Sequence, residues 1–348
     1  IPTFRPDIER EIDLIEEIGR LYDYNNIPSP SNGISLSSSP FSNWEQDKQK
    51  IIETLVGLGF NEIYSNSLIS EAEASQFGNI DEMIATLNPL TKDMTTLRPS
   101  LLPGFLKAIS YNKNRNAKGL RFFELGNVFF SDEKGTFHKG IGEQTHILIG
   151  LAGQKHEDHW LSPSTKNTFM DLKSSVQSLL VSLGLDHRVN EKIDGQNSLR
   201  YYIGKQYLGN LSQVNKTLQT IYELDQAVYF AEFNFQLIHE ARRDFGVPTF
   251  SKIPRYPGIE YDIALVMDRE ITAGTIKTEI SNMGTKLLEK VCIFDVYEGK
   301  NIPNNKKSIA YRLYFIDPNK TLNLSDIEPI IDKVVRSLNK KYNIELRS

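Results

Sequence analysis

The sequence is poor in cysteine and tryptophan. Cys292 stands alone among 348 residues, beside two tryptophans and five methionines. A lone thiol forms no intramolecular disulfide, which suits a reducing cytoplasm, and supplies no Cys-rich zinc set. No apolar run approaches the roughly 20 residues that cross a bilayer, so no membrane partner is expected. Neither charge is in excess. Lys and Arg number 40 against 44 Asp and Glu, a formal net charge of -4 with a pI near 6.0. That balance does not advertise a polyanion-binding chain. The sequence has no P-loop, no GxSxG and no Cys–His nucleophile pair. Gly57 and Gly59 in VGLGF lack the third glycine of a dinucleotide loop and follow a helical pattern, and Gly140 and Gly142 fail similarly. His156 and His159 in HEDHW have no second pair to complete a zinc set. The opening residues show no signal-peptide pattern and no initiator methionine. The opening IPTF reads as a strand, so the chain is expected to be a piece of something longer.

Hydrophobic residues make up 39% and charged residues 24%, the proportions of a soluble globular protein, and the length suits two or three domains. Residues 29–40, SPSNGISLSSSP, have the composition of a linker. Before them Ile8, Ile12, Ile15, Ile18 and Tyr22 recur at helical spacing. A second amphipathic helix is expected over 44–58, closed by Gly59, and a third over 169–183, closed by Gly184. Segments rich in strand formers cover 62–69, 121–130, 145–152 and 228–235. Strands outnumber helices without strict alternation, so an antiparallel sheet with helices packed on it, an α+β fold, is expected. Pro248, Pro254 and Pro257 mark a boundary. Beyond it the order is a strand over 259–268, a helix over 272–283, strands over 287–297 and 307–316, a helix over 323–341 and a strand over 344–347. This is βαββαβ, the ferredoxin-like split motif, which leaves one sheet face open.

Two constellations could carry chemistry. Asp13, Glu16 and Glu17 stand at i, i+3 and i+4 on one helix face, and Asp7 lies just before that helix. Such carboxylates repel one another, and Mg²⁺ would relieve the repulsion. The plainer alternative is a solvated face with Arg10 and Arg20 as partners, and spacing alone favours it. The second is the open face of the last domain. From Thr249 onward 16 Lys and Arg stand against 13 Asp and Glu, net +3, which leaves -7 for the rest. Strand alternation puts Ile293, Asp295 and Tyr297 on one side, and Ser308, Ala310, Arg312 and Tyr314 on one side of the next strand. Glu345 and Arg347 alternate with Ile344 and Leu346. Cys292 falls on the apolar side, a core position. A face of Tyr, Arg, Asp and Ser can stack on bases and bond their edges, or it is ordinary exposed sheet. The RNP1 pattern of RRM domains is absent from KKSIAYRLYF.

Longer runs carry a resemblance. FRPDIEREIDLIEEIGRLYDYNNIP, LNPLTKDMTTLRPSLLPGFL, NKNRNAKGLRFFELGNVFF, FMDLKSSVQSLL, KIPRYPGIEYDIALVMD, FDVYEGKNIP and KKSIAYRLYF occur in collinear order over essentially the whole chain. The chain thereby resembles the C-terminal portion of bacterial phenylalanyl-tRNA synthetase β subunits. The resemblance implies the end of a helical module over 1–28, a linker over 29–40, a non-catalytic class II synthetase-like core over 41–245 and a ferredoxin-fold anticodon-binding domain over 246–348. It implies an (αβ)₂ tetramer with an α subunit, which holds the active site and uses ATP to charge tRNA-Phe. Arg121 and Glu124 resemble the motif 2 strand, whereas nothing like the motif 3 GxGxxR appears over 228–243. The family's Mg²⁺ site at the α/β boundary falls by motif on Asp7, Asp13, Glu16 and Glu17, and its anticodon-facing positions on Asp295, Tyr297, Ser308 and Arg347. One departure is that Glu260 and Tyr261 precede Asp262 where the family usually has basic residues. Editing and OB-fold modules of a complete β subunit lie outside this sequence. A free-standing RNA-binding protein and a carboxylate-cluster metalloenzyme are the competing readings, and neither accounts for the collinear core motifs.

Overall fold

In the computed structural model the described residues are 1–28, 43–133, 140–245, 250, 252–283, 285–299, 302–303 and 305–347. The linker expected over 29–40 lies outside them. The chain divides into two compact units, Ile1–Pro248 and Thr249–Ser348.

The first unit opens with α1 (Glu11–Tyr22). No strand forms over the opening IPTF: the chain there runs through turns, and no neighbouring strand supplies a ladder. The helical spacing does give a helix, yet α1 buries none of its residues, and Ile12, Ile15, Ile18 and Leu21 are exposed. Then follow α2 (Asn43–Gly57), β1 (Asn61–Glu62), β2 (Leu68–Ile69), α3 (Glu71–Ala74), β3 (Thr96–Leu97) and α4 (Leu102–Lys113). The long hairpin of β4 (Gly119–Asp132) and β5 (Gly140–Gly153) precedes α5 (Phe169–Ser182). β6 (Val189–Ile193), β7 (Ser198–Ile203), β8 (Gln206–Gln213), α6 (Lys216–Ile221), β9 (Val228–Asn234) and α7 (Phe235–Phe245) complete the unit. Seven strands form one sheet in the order β1-β4-β5-β9-β8-β7-β6. Every pair in it is antiparallel except β1 with β4, so the sheet is mixed rather than wholly antiparallel.

Both faces of that sheet are covered, and strand alternation sorts the side chains between them. On β5, Ile147, Ile149 and Leu151 join the core under α2, α5 and α7, while Leu148 and Ala152 join the core under α4 and α6. Gly150 is required for close approach. A Cβ there would stand 2.1 Å from Cζ of Phe105, whose fully buried ring lies against the strand. Gly59 and Gly184, at φ +82 and +71, end α2 and α5 in the left-handed conformation that glycine adopts without strain.

The second unit runs β10 (Ile259–Asp268), α8 (Ala273–Met283), β11 (Leu288–Tyr297), β12 (Lys306–Phe315), α9 (Leu324–Tyr342) and β13 (Glu345–Leu346). The antiparallel sheet order β11-β12-β10-β13 is that of a ferredoxin-like fold. Ile263, Leu265, Met267, Ile309, Tyr311, Leu313 and Phe315 form the covered face, with Ile276 and Ile280 of α8 and Ile327, Ile331, Val334 and Leu338 of α9. Two expectations fail on β11. Its register shifts between Ile293 and Asp295, so Phe294 is the extra residue of a bulge. Ile293 therefore pairs with buried Tyr311 on the helix side, opposite to Asp295 and Tyr297. Cys292 pairs with Arg312 on the open side and is half-buried, not a core residue. Strict alternation misassigned both because it cannot see a bulge.

Candidate functional site

Arg5 ties the acidic helix together. Its Nε and Nη2 donate to Asp7 at 3.0 and 2.7 Å, and Nη2 also donates to Glu17 Oε1 at 2.6 Å. Arg20 donates to the other oxygen of Glu17. The Arg5 hydrogen bonds hold both carboxyls below the ordinary carboxylate range. Asp13 serves the helix start, accepting from the backbone N–H of Glu9 at 3.0 Å and of Arg10 at 2.8 Å. Glu16 is exposed and has neither a hydrogen bond nor an ion pair among the described residues. Arg5 stands where a cation bridging Asp7 and Glu17 would sit. Among the described residues no three acidic, His or Cys side chains converge on one point. As arranged, the four carboxylates do not form a Mg²⁺ ligand set. Arg5 lies outside helical spacing, and periodicity gave no signal for it.

Charged residues of the core runs serve the fold. Arg98, from TTLRPS, donates from Nη1 to Glu124 Oε1 at 2.7 Å; the pair is 4% and 1% exposed. Ser65 Oγ donates to Glu124 Oε2 at 2.6 Å, and Arg98 Nε donates to the Asn127 carbonyl at 2.9 Å. Glu124 thus faces a buried partner and no cleft. Arg121 donates to the Leu58 carbonyl at 3.4 Å and lies over the Phe60 ring. On β9, Glu232 accepts from Ser100 Oγ at 2.6 Å and the Leu101 N–H at 3.1 Å, and lies 2.9 Å from His146 Nδ1. Burial works to raise the Glu232 carboxyl, but these partners overcome it and hold it below its ordinary value. On α7, His239 and Arg242 both pair with buried Asp47 of α2. Among the described residues His156 and His159 make local contacts in their loop, with the Glu157 carbonyl, the Leu161 N–H and the Trp160 ring.

The open face of the second unit is different. Three cations lie over three rings there: Arg347 over Tyr297 at 4.4 Å, Arg312 over Phe294 at 5.1 Å and Lys290 over Tyr314 at 5.7 Å. Tyr297 is on one edge strand, β11, and Arg347 follows the other, β13, with its N–H donating to the Ala264 carbonyl at 2.8 Å. Their stack therefore spans the sheet. Ser308 on β12, paired with both Val266 of β10 and Tyr297 of β11, is only 3% exposed. Asp295 is exposed opposite Ala310. Gly299 makes room for the Tyr297 ring: a Cβ on it would stand 2.3 Å from the Tyr297 hydroxyl oxygen. Arg312 spends its fork on Asp262, at 2.8 and 2.7 Å, with Glu260 at 3.4 Å. Those contacts hold the Asp262 carboxyl low and the guanidinium high. Alternation had already placed Arg312 on this face; Phe294 was missed because the bulge that turns it outward leaves no mark in the apolar pattern.

Residues 27–235 match the phenylalanyl tRNA synthetase beta chain CLM domain, residues 254–347 the ferredoxin-fold anticodon binding domain, and residues 1–24 the tRNA synthetase B5 domain. The chain belongs to the phenylalanyl-tRNA synthetase β chain family. Phenylalanine–tRNA ligase beta subunits from Bacteroides thetaiotaomicron, Bacteroides fragilis and Bacillus licheniformis are 33%, 32% and 31% identical to it over its whole length. The chain spans 44%, 44% and 43% of those relatives. A pyrrolysyl-tRNA synthetase from Desulfitobacterium hafniense aligns at TM-score 0.46 and 13% identity, over 67% of this chain and 73% of that one. The anticodon-domain match covers all four open-face positions, Asp295, Tyr297, Ser308 and Arg347, and the B5 match covers Asp7, Asp13, Glu16 and Glu17.

Proposed function

We propose that this chain is the non-catalytic β portion of a phenylalanine–tRNA ligase, and that its open sheet face receives the anticodon region of tRNA-Phe. The observation that carries the reading is the ring-and-cation face within the residues matching the anticodon-binding domain. Stacking rings with few free charges suit bases better than backbone. The first unit supports the non-catalytic part. Glu124, Arg98, His239 and Arg242 are all consumed by internal pairs, and the β9–α7 junction carries no arginine in a GxGxxR setting. A class II synthetase-like core over 41–245, flanked by a module end over 1–28 and a tail domain over 246–348, is part of the same proposal. An α subunit supplies the active site and its ATP in an (αβ)₂ tetramer, in the cytoplasm. Proofreading is not assigned to these residues.

A shared Mg²⁺ at Asp7, Asp13, Glu16 and Glu17 is proposed only for that assembly, where a partner acid would have to draw Arg5 away from Asp7 and Glu17. Co-expression with the α subunit of the same genome, followed by a tRNA-charging assay, tests the whole. The complex is expected to charge tRNA-Phe, and the chain alone to show no phenylalanine-dependent pyrophosphate exchange. Exchange by the chain alone sinks the non-catalytic reading.

A further inference from the structure

We infer that Phe294, backed by Arg312, is a second base-stacking position on the open face, separate from the Tyr297–Arg347 stack. This deepens the reading of that face as an RNA site and rests on it. Phe294 is the bulge residue of β11. It is 52% exposed and is absent from the core that its strand neighbour Val291 joins. An aromatic ring turned out of the core into water at a bulge is re-aimed away from packing. The Arg312 guanidinium lies over that ring, its carbon 5.1 Å from the centroid.

Charge decides what the position takes. Both terminal nitrogens of Arg312 and its Nε are directed at Asp262 and Glu260. The fork that would clamp a phosphate is therefore occupied, and two carboxylates stand beside it. Asp295, next in sequence to Phe294, adds a third on the same face. This end of the sheet repels backbone phosphate and offers a flat ring, so it fits a base. Phosphates are better served at the other end of β12, where Lys306 shares the open face with Ser308; Lys307 lies on the opposite face and donates to the Arg269 carbonyl. Tyr297 and Phe294 are three residues apart across the bulge, roughly 7–10 Å along the strand. That exceeds the ~3.4 Å rise between stacked bases, so the two rings hold bases that are not stacked on each other. The ligand is a splayed single-stranded loop segment.

The test is a titration of the full chain with a synthetic anticodon stem-loop of tRNA-Phe, read by fluorescence anisotropy, together with stem-loops made abasic at one loop position each. Phe294→Ala and Phe294→Leu should each weaken binding about 5- to 150-fold, the range for losing one stacked base, while Phe294→Tyr stays within about 2-fold. Abasic substitution at one loop position should cost nothing further in Phe294→Ala, and at a different position nothing further in Tyr297→Ala. If Tyr297→Ala weakens binding and Phe294→Ala does not, the second position is refuted and the RNA face stands. If both variants bind as the unmodified chain does, or the unmodified chain binds no stem-loop, the face and the second position fall together. Equal loss in Phe294→Tyr and Phe294→Ala refutes stacking at this ring.

Discussion

Changing Glu124 to Gln separates a structural role for the core motifs from a catalytic one. The substitution keeps the shape and the contact with Ser65 but removes the charge facing Arg98. That leaves a guanidinium only 4% exposed beside a neutral amide. Breaking a buried pair from one side costs about 3–5 kcal/mol, because the remaining charge is uncompensated. In a unit of this size each kcal/mol moves the melting temperature by about 2–4 °C, so a drop of about 6–20 °C is expected. The assay is calorimetry of the full chain, in which the transition of the second unit should stay put, since Arg98 and Glu124 both belong to the first. A double replacement, Arg98→Met with Glu124→Leu, removes both charges and should recover a large share of the loss. A drop below about 2 °C in Glu124→Gln would refute the buried pair as a lock. Glu124 would then have to be sought at a ligand site.

Gly299→Ala should weaken stem-loop binding without lowering the melting temperature, since the new methyl meets the movable tip of Tyr297; isothermal titration beside a thermal melt checks both halves. Glu232 has a depressed carboxyl. Its stabilising contribution is therefore complete above its unfolded-state value of about 4.3 and fades as pH falls through its lower folded value. Glu232→Gln should flatten that acid limb in urea titrations run from pH 6 downward, and an unchanged limb would discount the carboxylate. Glu16→Gln with Glu17→Gln should weaken association with the α subunit and shift its Mg²⁺ dependence, measured by sedimentation. Identical assembly at every Mg²⁺ level would leave the cluster a solvated face.

Most of the second unit was legible because each of its elements carries its own local signal. β10 alternates apolar and polar residues over Ile259–Asp268, and the structure has a strand with those bounds. α9 begins at an Asn323–Asp326 capping box and carries buried residues at Ile327, Ile331, Val334 and Leu338, at helical spacing. The first unit was less legible for identifiable reasons. β6 and β7 are short, and with β8 they form an edge hairpin series rich in polar residues, which hides the alternation. α4, for which no helix was expected, begins with Leu102, Pro103 and Gly104; Pro and Gly punctuate a helical pattern, yet Pro is tolerated in a first helical turn. In the site, spacing located the acids of α1, because one helix carries Asp13, Glu16 and Glu17. It missed Arg5, because its bonds to Asp7 and Glu17 form only when the preceding turn folds back. The sheet face was read strand by strand, so the bulge at Phe294 reversed two assignments that depended on uninterrupted period 2.

The same face also explains why binding should be selective rather than tight. In the chain alone each of the three rings already has a cation against it, and Ser308, paired with Tyr297, is only 3% exposed. A base that takes the Arg347 side of the Tyr297 ring must first part Arg347 from it. Parting them forfeits a cation–ring attraction of about 0.5–1 kcal/mol at an exposed site, which is regained only if the base stacks between or beside them. A phosphate gives no such return, since the surplus of the unit is only +3 and Arg312 is already matched by two carboxylates. Arg347→Ala therefore has two opposed effects. It uncovers Tyr297, which lowers the cost of entry, and it removes one plane of the sandwich. Net weakening of the native stem-loop with little change for one carrying altered anticodon bases means that the guanidinium holds a base. Equal weakening of both, with a shallower salt dependence, means that it meets phosphate instead.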